Sequence, residues 1–139
     1  MPVTSDEELA EILQYDNVAV VGCSSTRGRD AHEVPRYLKT RGYNVIPVNP
    51  FSDEILGHVA YDSLSDVDEA VDVVLVFRPS DEVSSIVDEA IERDDVKAVW
   101  TQLGIRDIEA LERAEEAGLR TVQDKCMKVE SRRLKFQSA

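Results

Sequence analysis

The stretch VAVVGCSSTRGRD, residues 18–30, joins an apolar run to residue types that can bind an anion. The run stops at Gly22, and Ser24 and Ser25 then offer hydroxyl and backbone N–H groups to a phosphate. Arg27 adds positive charge, and the helix predicted next would direct its N-terminus toward the same place. The spacing predicts a phosphate-binding turn after a buried strand. The alternative is a plain loop with solvated arginines.

The turn departs from the dinucleotide pattern G-x-G-x-x-G, because Ser24 and Arg27 stand at the second and third glycine positions. A dinucleotide fold also places an acid near the end of its second strand to hold the ribose, whereas VIPVNP offers Asn49 there. Pro47 and Pro50 fix the backbone of this segment. They predict a shaped, mostly apolar slot for an adenine, or a rigid turn alone. An NAD(P)-dependent oxidoreductase is therefore disfavoured.

Two further strand exits, in FRPS and WTQLG, carry aromatic and polar side chains. Phe77 can stack on a base, and Arg78 can pair with phosphate, because an arginine at a strand end must reach water or an anion. Trp100 ends the next strand, and Gln102 and Gly104 would line the mouth of a cleft. Core packing is the alternative for both aromatic residues.

These exits belong to apolar runs that alternate with helical patterns. The runs NVAVVG, YNVIPVN, DVVLVF, KAVW and LRTVQ are typical of strands buried in a parallel sheet. Ser5, Ser80 and Asp107 are predicted helix caps, and Pro35 suits a first helical turn. We predict one domain over residues 1–139. It is an α/β fold with a doubly wound parallel sheet of about five strands and a ligand site at their carboxyl ends.

The composition disfavours several classes of partner. A net charge of −12 over 139 residues would repel a nucleic acid. No apolar run could span a bilayer, and the acidic start MPVTSDEELAEIL is unlike a signal peptide, so we expect a cytoplasmic protein without a membrane partner. The dense carboxylates favour an acidic surface adapted to high salt, with an ordinary acidic surface as the alternative.

The segments VVGCSS, GYNVIPVNP, ILGHVAYDSLSDV, VDVVLVFRPS, VWTQLGI and DKCMKVESRRL together resemble the small stand-alone CoA-binding-domain proteins. Those are similar to the Rossmann-like CoA-binding domain of the succinyl-CoA synthetase alpha subunit. The resemblance implies that coenzyme A, or an acyl-CoA, binds across the strand exits. By position it implies phosphate contacts from Gly22, Ser24, Ser25, Arg27 and Lys39, adenine and ribose contacts from Pro47, Val48, Asn49 and Pro50, an opposite wall of Phe77, Arg78 and Pro79, and a pantetheine side at Trp100, Gln102 and Gly104.

The synthetase has a catalytic phosphohistidine in a separate domain, which has no counterpart in these residues. The two histidines, His32 and His58, do not match that segment, and no Ser-His-acid set, HExxH or Walker A sequence is present. We therefore expect neither catalytic residues nor a metal site. An accessory or regulatory subunit of an acyl-CoA synthetase is a further alternative, and a homodimer stays open.

Cys23 stands where relatives often have alanine, and it places a thiol beside the predicted phosphates. A nearby helix N-terminus and Arg27 would favour a lowered thiol pKa, which would permit a mixed disulfide with the CoA thiol. Cys126, in DKCM, is the other candidate. The alternative for each cysteine is a small buried side chain that fills space.

Overall fold

The computed structural model describes residues 1–136, so residues 137–139 of the predicted domain lie outside the described part. Five strands form a parallel sheet in the order β2-β1-β5-β6-β7, and two short strands form an antiparallel hairpin, β3-β4. The bounds are β1 (Asn17–Val21), β2 (Asn44–Val48), β3 (Glu54–Ile55), β4 (His58–Val59), β5 (Val73–Val76), β6 (Ala98–Thr101) and β7 (Arg120–Val122). The sheet confirms the predicted doubly wound α/β fold.

The helices are α1 (Asp6–Ile12), α2 (Asp30–Thr40), α3 (Val83–Glu92), α4 (Ile108–Glu116) and α5 (Met127–Leu134), with 3₁₀ turns at Leu64–Asp66 and Ser80–Glu82. They cover the two faces of the sheet. One core contains Leu9 of α1, Leu38 of α2 and Met127 of α5. The second core contains Val87 of α3 and Leu111 of α4. The strands of the large sheet are mostly apolar because their alternating side chains fill both cores.

Two of the three predicted helix caps are confirmed. Ser5 and Asp107 each accept, through a side-chain oxygen, the N–H of the residue three positions later. The predicted cap at Ser80 is wrong, because Ser80 begins a 3₁₀ turn that precedes α3. Its hydroxyl oxygen accepts the N–H of Arg106 at 2.9 Å, which ties the segment after β5 to the segment after β6.

Pro35 lies in the interior of α2, which begins at Asp30, and not in the first turn as predicted. Proline has no N–H, so the carbonyl of Ala31, four residues earlier, receives no helical hydrogen bond from it. That carbonyl instead accepts the N–H of Ser24 at 2.9 Å. The proline therefore frees an acceptor that anchors the turn after β1 to the helix.

The strand order reverses at β1. The chain leaves β1 toward β2 on one side and returns to β5 on the other side. Connections that depart from neighbouring strands in opposite directions open a crevice beyond the carboxyl ends of those strands. The exits of β1 and β5 are therefore the place where this fold leaves room for a ligand.

Candidate functional site

A cleft of about 560 Å³ opens where β1, β2 and β5 end. The turn after β1 forms its floor, and the exits of β2 and β5 and the start of α3 form its walls. It is lined by Gly22, Cys23, Ser24, Arg29, Ala31, Val48, Asn49, Pro50, Phe51, Asp62, Ser63, Phe77, Arg78, Glu82, Ser85, Ile86 and Glu89. The structure thus brings residues predicted at three separate strand exits into one space.

Gly22 allows the exits of β1 and β5 to approach each other closely. Its φ is 90°, in the left-handed region that favours glycine. A Cβ at this position would lie 2.8 Å from Cδ of Arg78 and 3.2 Å from the carbonyl carbon of Phe77. Its N–H donates to the carbonyl of Val48 at 3.0 Å, which extends the pairing of β1 with β2 into the turn. Both backbone conformation and packing therefore require a glycine.

Ser24 holds the turn through three of its own groups. Its N–H donates to Ala31, and its carbonyl lies 2.7 Å from Nδ1 of His32. A carbonyl only accepts, so Nδ1 of His32 carries the proton. The hydroxyl oxygen of Ser24 accepts the N–H of Thr26 at 3.0 Å. A phosphate contact from this hydroxyl, as predicted, would share an oxygen that already serves the turn.

Other backbone donors of the turn lack a protein partner. The N–H groups of Cys23, Ser25 and Arg27 make no hydrogen bond within residues 1–136. Cys23 is fully buried, and a buried N–H without a partner is rare in proteins. These free N–H groups alternate with bonded ones at Ser24, Thr26 and Gly28. Free backbone donors ahead of a helix can bind an anion. The turn therefore holds unused donors suited to a phosphate.

Asn49 links the exits of β1 and β2. Its Nδ2 donates to the carbonyl of Cys23 at 2.9 Å, and its Oδ1 accepts the N–H of Phe51 at 2.8 Å. Both ends of the amide are thus committed to backbone groups. The side chain shapes the β2 exit and is not free to hold a ribose as the acid of a dinucleotide fold does.

Phe51 is a cleft residue that the sequence reading missed. Its side chain follows Pro50 and is 94% exposed, a rare position for an aromatic ring in a folded protein. Reading one residue beyond VIPVNP would have included it. Asp62 and Glu89 were missed as well, because only the folded chain brings the segment before the 3₁₀ turn at Leu64–Asp66 and helix α3 to the turn after β1.

Arg78 pairs with Glu82 at the cleft. Its Nε and Nη2 donate to the two carboxylate oxygens at 3.1 and 2.8 Å. The hydrogen bonds from Arg78 lower the pKa of Glu82, and the carboxylate raises the pKa of Arg78. The side chains are 47% and 43% exposed, and exposed pairs contribute only about 0–1 kcal/mol. A phosphate can replace Glu82 at small cost, since arginine binds phosphate through two hydrogen bonds.

Two further spaces adjoin the cleft. Phe77 also lines a groove of about 380 Å³ between α2, the β6 exit and α5. Ser25 and Arg27 line a polar cavity of about 700 Å³ against α2. Gln102 lies in the groove, and its Oε1 accepts the N–H of Met127 at 2.8 Å, which fixes the start of α5. These predicted residues surround the cleft without lining it, apart from Phe77.

The expected ligand contact from Trp100 is wrong. Its side chain is fully buried in the core, and its Nε1–H donates to the carbonyl of Lys125 at 2.8 Å. Core packing, the alternative reading, describes this residue. Pro47 is likewise buried, inside β2, and lines no part of the cleft. Its carbonyl accepts the N–H of Tyr61 on the outer edge of the sheet, so its missing N–H costs no bond to β1.

Three more predicted residues lie outside the cleft lining. Lys39 contacts the carbonyl of Leu56 beside the polar cavity. Gly104 donates its N–H to a carboxylate oxygen of Asp124 at 2.6 Å, in the loop after β6. Pro79 is exposed just after the β5 exit. A contact from any of them with a ligand in the cleft stays a prediction.

Cys23 is fully buried, and desolvation raises its pKa to about 12. The predicted lowering of this pKa is wrong, because burial penalises the thiolate and Arg27 is exposed to solvent. The alternative of a small side chain that fills space describes Cys23. Cys126 is half-buried at the N-terminal boundary of α5 and lines the groove.

The described residues form neither a metal-binding cluster nor a membrane-spanning helix. Between Met1 and Phe136, no group of three or more His, Cys, Asp or Glu side chains could hold a metal ion. None of the helices described is long and apolar enough to cross a membrane. His58 lies away from the cleft, with Nε2 3.1 Å from a carboxylate oxygen of Glu69.

A family model described as a CoA binding domain matches residues 16–132. The chain belongs to this family of CoA-binding domains. The matched segment contains every strand of the five-stranded sheet and all residues that line the cleft. The family confirms the resemblance drawn from the sequence.

Members similar to this chain occur alone and within longer proteins. The uncharacterized protein YneT of Bacillus subtilis (strain 168) is 39% identical, over 90% of this chain and 93% of YneT. A hypothetical protein from Pyrococcus horikoshii OT3 has a solved structure with a TM-score of 0.90, 39% identity and 96% coverage of both chains. An ADP-forming acetate–CoA ligase of Methanocaldococcus jannaschii is 29% identical over 74% of this chain but only 15% of the ligase.

Proposed function

We propose that the chain binds coenzyme A, or an acyl-CoA, in the cleft beyond β1, β2 and β5, without catalysing a reaction itself. The observation that carries this proposal is the unpaired N–H of Cys23 at the cleft, in the turn that Gly22 opens, followed by unpaired N–H groups at Ser25 and Arg27 where the turn borders the adjoining polar cavity. The diphosphate of CoA offers only acceptors, which is what these donors require. Membership of the CoA-binding-domain family favours CoA over other phosphate ligands.

The adenosine would lie at the exit of β2. Pro50 and the exposed ring of Phe51 offer an apolar surface on which an adenine can stack. The carboxylates of Asp62 and Glu89 line the same cleft and can accept hydrogen bonds from ribose hydroxyls and the adenine amino group. Arg78 would face the phosphates once Glu82 is displaced.

The pantetheine arm would pass Phe77 into the groove between α2 and α5. Phe77 lines both the cleft and the groove, so the two spaces meet at its ring. Leu103 and Val129 border the groove and are 64% and 52% exposed. A long arm of methylene and amide groups would cover these apolar side chains.

A second candidate is a protein that presents CoA to a separate acyl-CoA synthetase. The observation in its favour is the ADP-forming acetate–CoA ligase, in which the matching segment forms 15% of the protein. Co-purification with such an enzyme would support this role. An NAD(P)-dependent oxidoreductase is less favoured, because the amide of Asn49 is committed to backbone groups.

The test is a titration of ¹⁵N-labelled protein with CoA, followed by amide chemical shifts. We expect the amides of Cys23, Ser25 and Arg27 to shift strongly, since hydrogen bonds to charged oxygens deshield an N–H. The amide of Gly118, in a turn that lines none of these spaces, serves as an internal control. Saturating CoA that leaves the three turn amides unmoved would overturn the placement.

A further inference from the structure

The polar cavity beside the cleft is lined by Ser25, Arg27, His32, Glu33, Arg36 and Leu56. Two arginines and a histidine thus face a single carboxylate, in a chain whose net charge is −12. Lys39 adds a further cation nearby, because its Nζ contacts the carbonyl of Leu56. Positive charge concentrated in one cavity of an acidic protein indicates an anion site.

His32 presents an unused nitrogen to this cavity. Its residue is only 7% exposed, and its Nδ1 donates to the carbonyl of Ser24 at 2.7 Å. Within residues 1–136, Nε2 has no hydrogen-bond partner. Nε2 is accessible to solvent, unlike the buried hydroxyl oxygens of Tyr37 and Thr121, which have no partner in the described chain. The ring is held by Nδ1, and Nε2 can meet water or a ligand in the cavity.

Glu33 neutralises only one of the two arginines. Its Oε2 accepts the N–H of Gly28 at 3.0 Å, and its Oε1 accepts Nε and Nη2 of Arg36 at 2.9 and 2.8 Å. These hydrogen bonds, led by that of Gly28, hold the pKa of Glu33 below its usual value. Nη1 of Arg36 is left free, and Arg27 forms no ion pair within the described chain.

The backbone on the far side of the cavity is strained. Leu56 and Gly57 connect β3 to β4 with φ values of 54° and 76°. Positive φ at both positions of a two-residue hairpin turn favours Asn-Gly, and a leucine there is costly. In return, the side chain of Leu56 lines the cavity and its carbonyl receives Lys39. Strain of this kind is typical of functional sites.

We propose that this cavity binds a phosphomonoester, the 3′-phosphate group of CoA; this inference rests on the proposed function. The cleft and the cavity lie on two sides of one loop, with Ser24 and Arg29 lining the first and Ser25 and Arg27 lining the second. The ribose of CoA carries a diphosphate chain and a 3′-phosphate on neighbouring branches. With the diphosphate at the turn, the 3′-phosphate reaches over the loop.

A monoester fits the donors of the cavity better than a diester does. A phosphomonoester has a second pKa of about 6, so part of it still carries a proton near neutral pH. A phosphodiester has no second ionisation. A protonated oxygen of the monoester can therefore donate to Nε2 of His32, whereas a phosphodiester has no such proton to donate. Arg27 and Nη1 of Arg36 would take the remaining oxygens through charge-assisted hydrogen bonds.

The experiment compares CoA with dephospho-CoA, which lacks only the 3′-phosphate, by titration calorimetry. The wild type should bind CoA at least about tenfold more tightly than dephospho-CoA. His32→Asn keeps a donor for the carbonyl of Ser24 but removes Nε2, and Arg27→Gln removes a cation. Each variant should lower the ratio of the two affinities, CoA over dephospho-CoA, to near one. Arg41→Gln, at the end of the same helix against Tyr37, is the matched control and should retain the preference.

Adenosine 3′,5′-bisphosphate and inorganic phosphate separate a CoA-borne phosphate from a free one. The bisphosphate should compete with CoA in the wild type and lose this competition in His32→Asn, whereas millimolar phosphate should compete weakly. Equal affinity of the wild type for CoA and dephospho-CoA would overturn this inference and leave the proposed function standing. A loss of affinity for both ligands in His32→Asn would also overturn it. Failure of the wild type to bind either ligand would overturn the proposed function itself.

Discussion

The side-chain amide of Asn49, at the exit of β2, donates to the carbonyl of Cys23, at the exit of β1, over 2.9 Å. The same amide accepts the N–H of Phe51 at 2.8 Å. One side chain thus fixes the distance between the turn that carries the unpaired N–H groups and the segment that carries the exposed aromatic ring. In the proposed function, these are the two places that hold the diphosphate and the adenine.

We predict that Asn49→Asp weakens both CoA binding and folding. The carboxylate still accepts from Phe51 but cannot donate to Cys23, and a buried carbonyl without its donor costs about 1–3 kcal/mol. Urea unfolding and CoA titration would measure the two effects. Gln14→Glu is the control, because it makes the same amide-to-carboxylate change at an exposed side chain that forms no hydrogen bond within residues 1–136, and it should cost less than about 0.5 kcal/mol. Equal losses in both variants would contradict this role of Asn49.

We predict that Gly22→Ala is more destabilising than Gly118→Ala. The two glycines have φ values of 90° and 95°, so the backbone cost of a side chain is shared. Only at Gly22 would the new Cβ meet Arg78, at 2.8 Å, whereas nothing lies within 4 Å at Gly118. The clash should add about 1–3 kcal/mol, measured by urea unfolding. An equal loss of stability in the two variants would contradict the close approach of the β1 and β5 exits at Gly22.

The outline of the fold could be predicted from sequence because it depends on apolar runs. The strands at VAVV and VVLV are buried on both faces, and a continuous apolar run signals this directly. Trp100 shows the limit of this signal. A residue at the end of a strand can pack in the core or line a cleft, and the apolar run looks the same in both cases. Pro35 shows another limit. It leaves the carbonyl of Ala31 free to accept the N–H of Ser24, and no hydrophobic periodicity predicts such a backbone contact.

The sequence predicted which residues lie at the site better than it predicted their hydrogen bonds. The strand-exit rule placed Gly22, Asn49 and Arg78 at one edge, and they do line one cleft. The partner of Arg78 was not foreseen, because Glu82 reaches it through a 3₁₀ turn where a helix cap was predicted. Nor could residue types reveal that both ends of the Asn49 amide are bound to backbone.

We predict that Cys126 reacts with a thiol reagent in the folded protein and that Cys23 does not. Cys23 is fully buried with its pKa raised to about 12, whereas Cys126 is half-buried at the groove. Ellman's reagent should label one thiol in the native wild type, none in Cys126→Ser and two after unfolding. Labelling of the native Cys126→Ser variant would contradict the burial of Cys23.

The raised pKa of Cys23 also predicts that the folded protein loses stability at alkaline pH. An unfolded thiol ionises at about pH 8.5, while the folded one stays protonated, so the folded state binds more protons above that pH. The free energy of unfolding should therefore fall as pH rises above about 8.5. Cys23→Ala should fall less steeply than Cys126→Ala in the same buffers. Parallel slopes for the two variants would show that Cys23 makes no such contribution.

We predict that the thermal midpoint rises from low to molar KCl. At a net charge of −12, self-repulsion opposes folding, and salt screens it with a Debye length of about 10 Å at 0.1 M. Salt also weakens surface pairs such as Arg133–Asp6, but solvent-exposed pairs contribute little to stability. Scanning calorimetry would measure the midpoint.

A variant with less charge provides the control for the salt prediction. Glu7, Asp94, Glu112 and Glu116 are exposed and form no hydrogen bond or ion pair within residues 1–136 through their side chains. Their neutral amide replacements should reduce the rise in midpoint. A flat profile for the wild type would count against a surface adapted to high salt and leave the fold and the cleft unaffected.

Titration calorimetry with CoA and NAD in one buffer tests the central claim most directly. Both ligands carry an adenosine and a diphosphate, so they differ in what the exit of β2 and the groove can recognise. We predict saturable binding of CoA at one site per chain, with NAD at least about tenfold weaker, because NAD lacks the pantetheine arm that would cover the apolar groove beside Phe77. No binding of CoA, or equal affinity for CoA and NAD, would contradict the account.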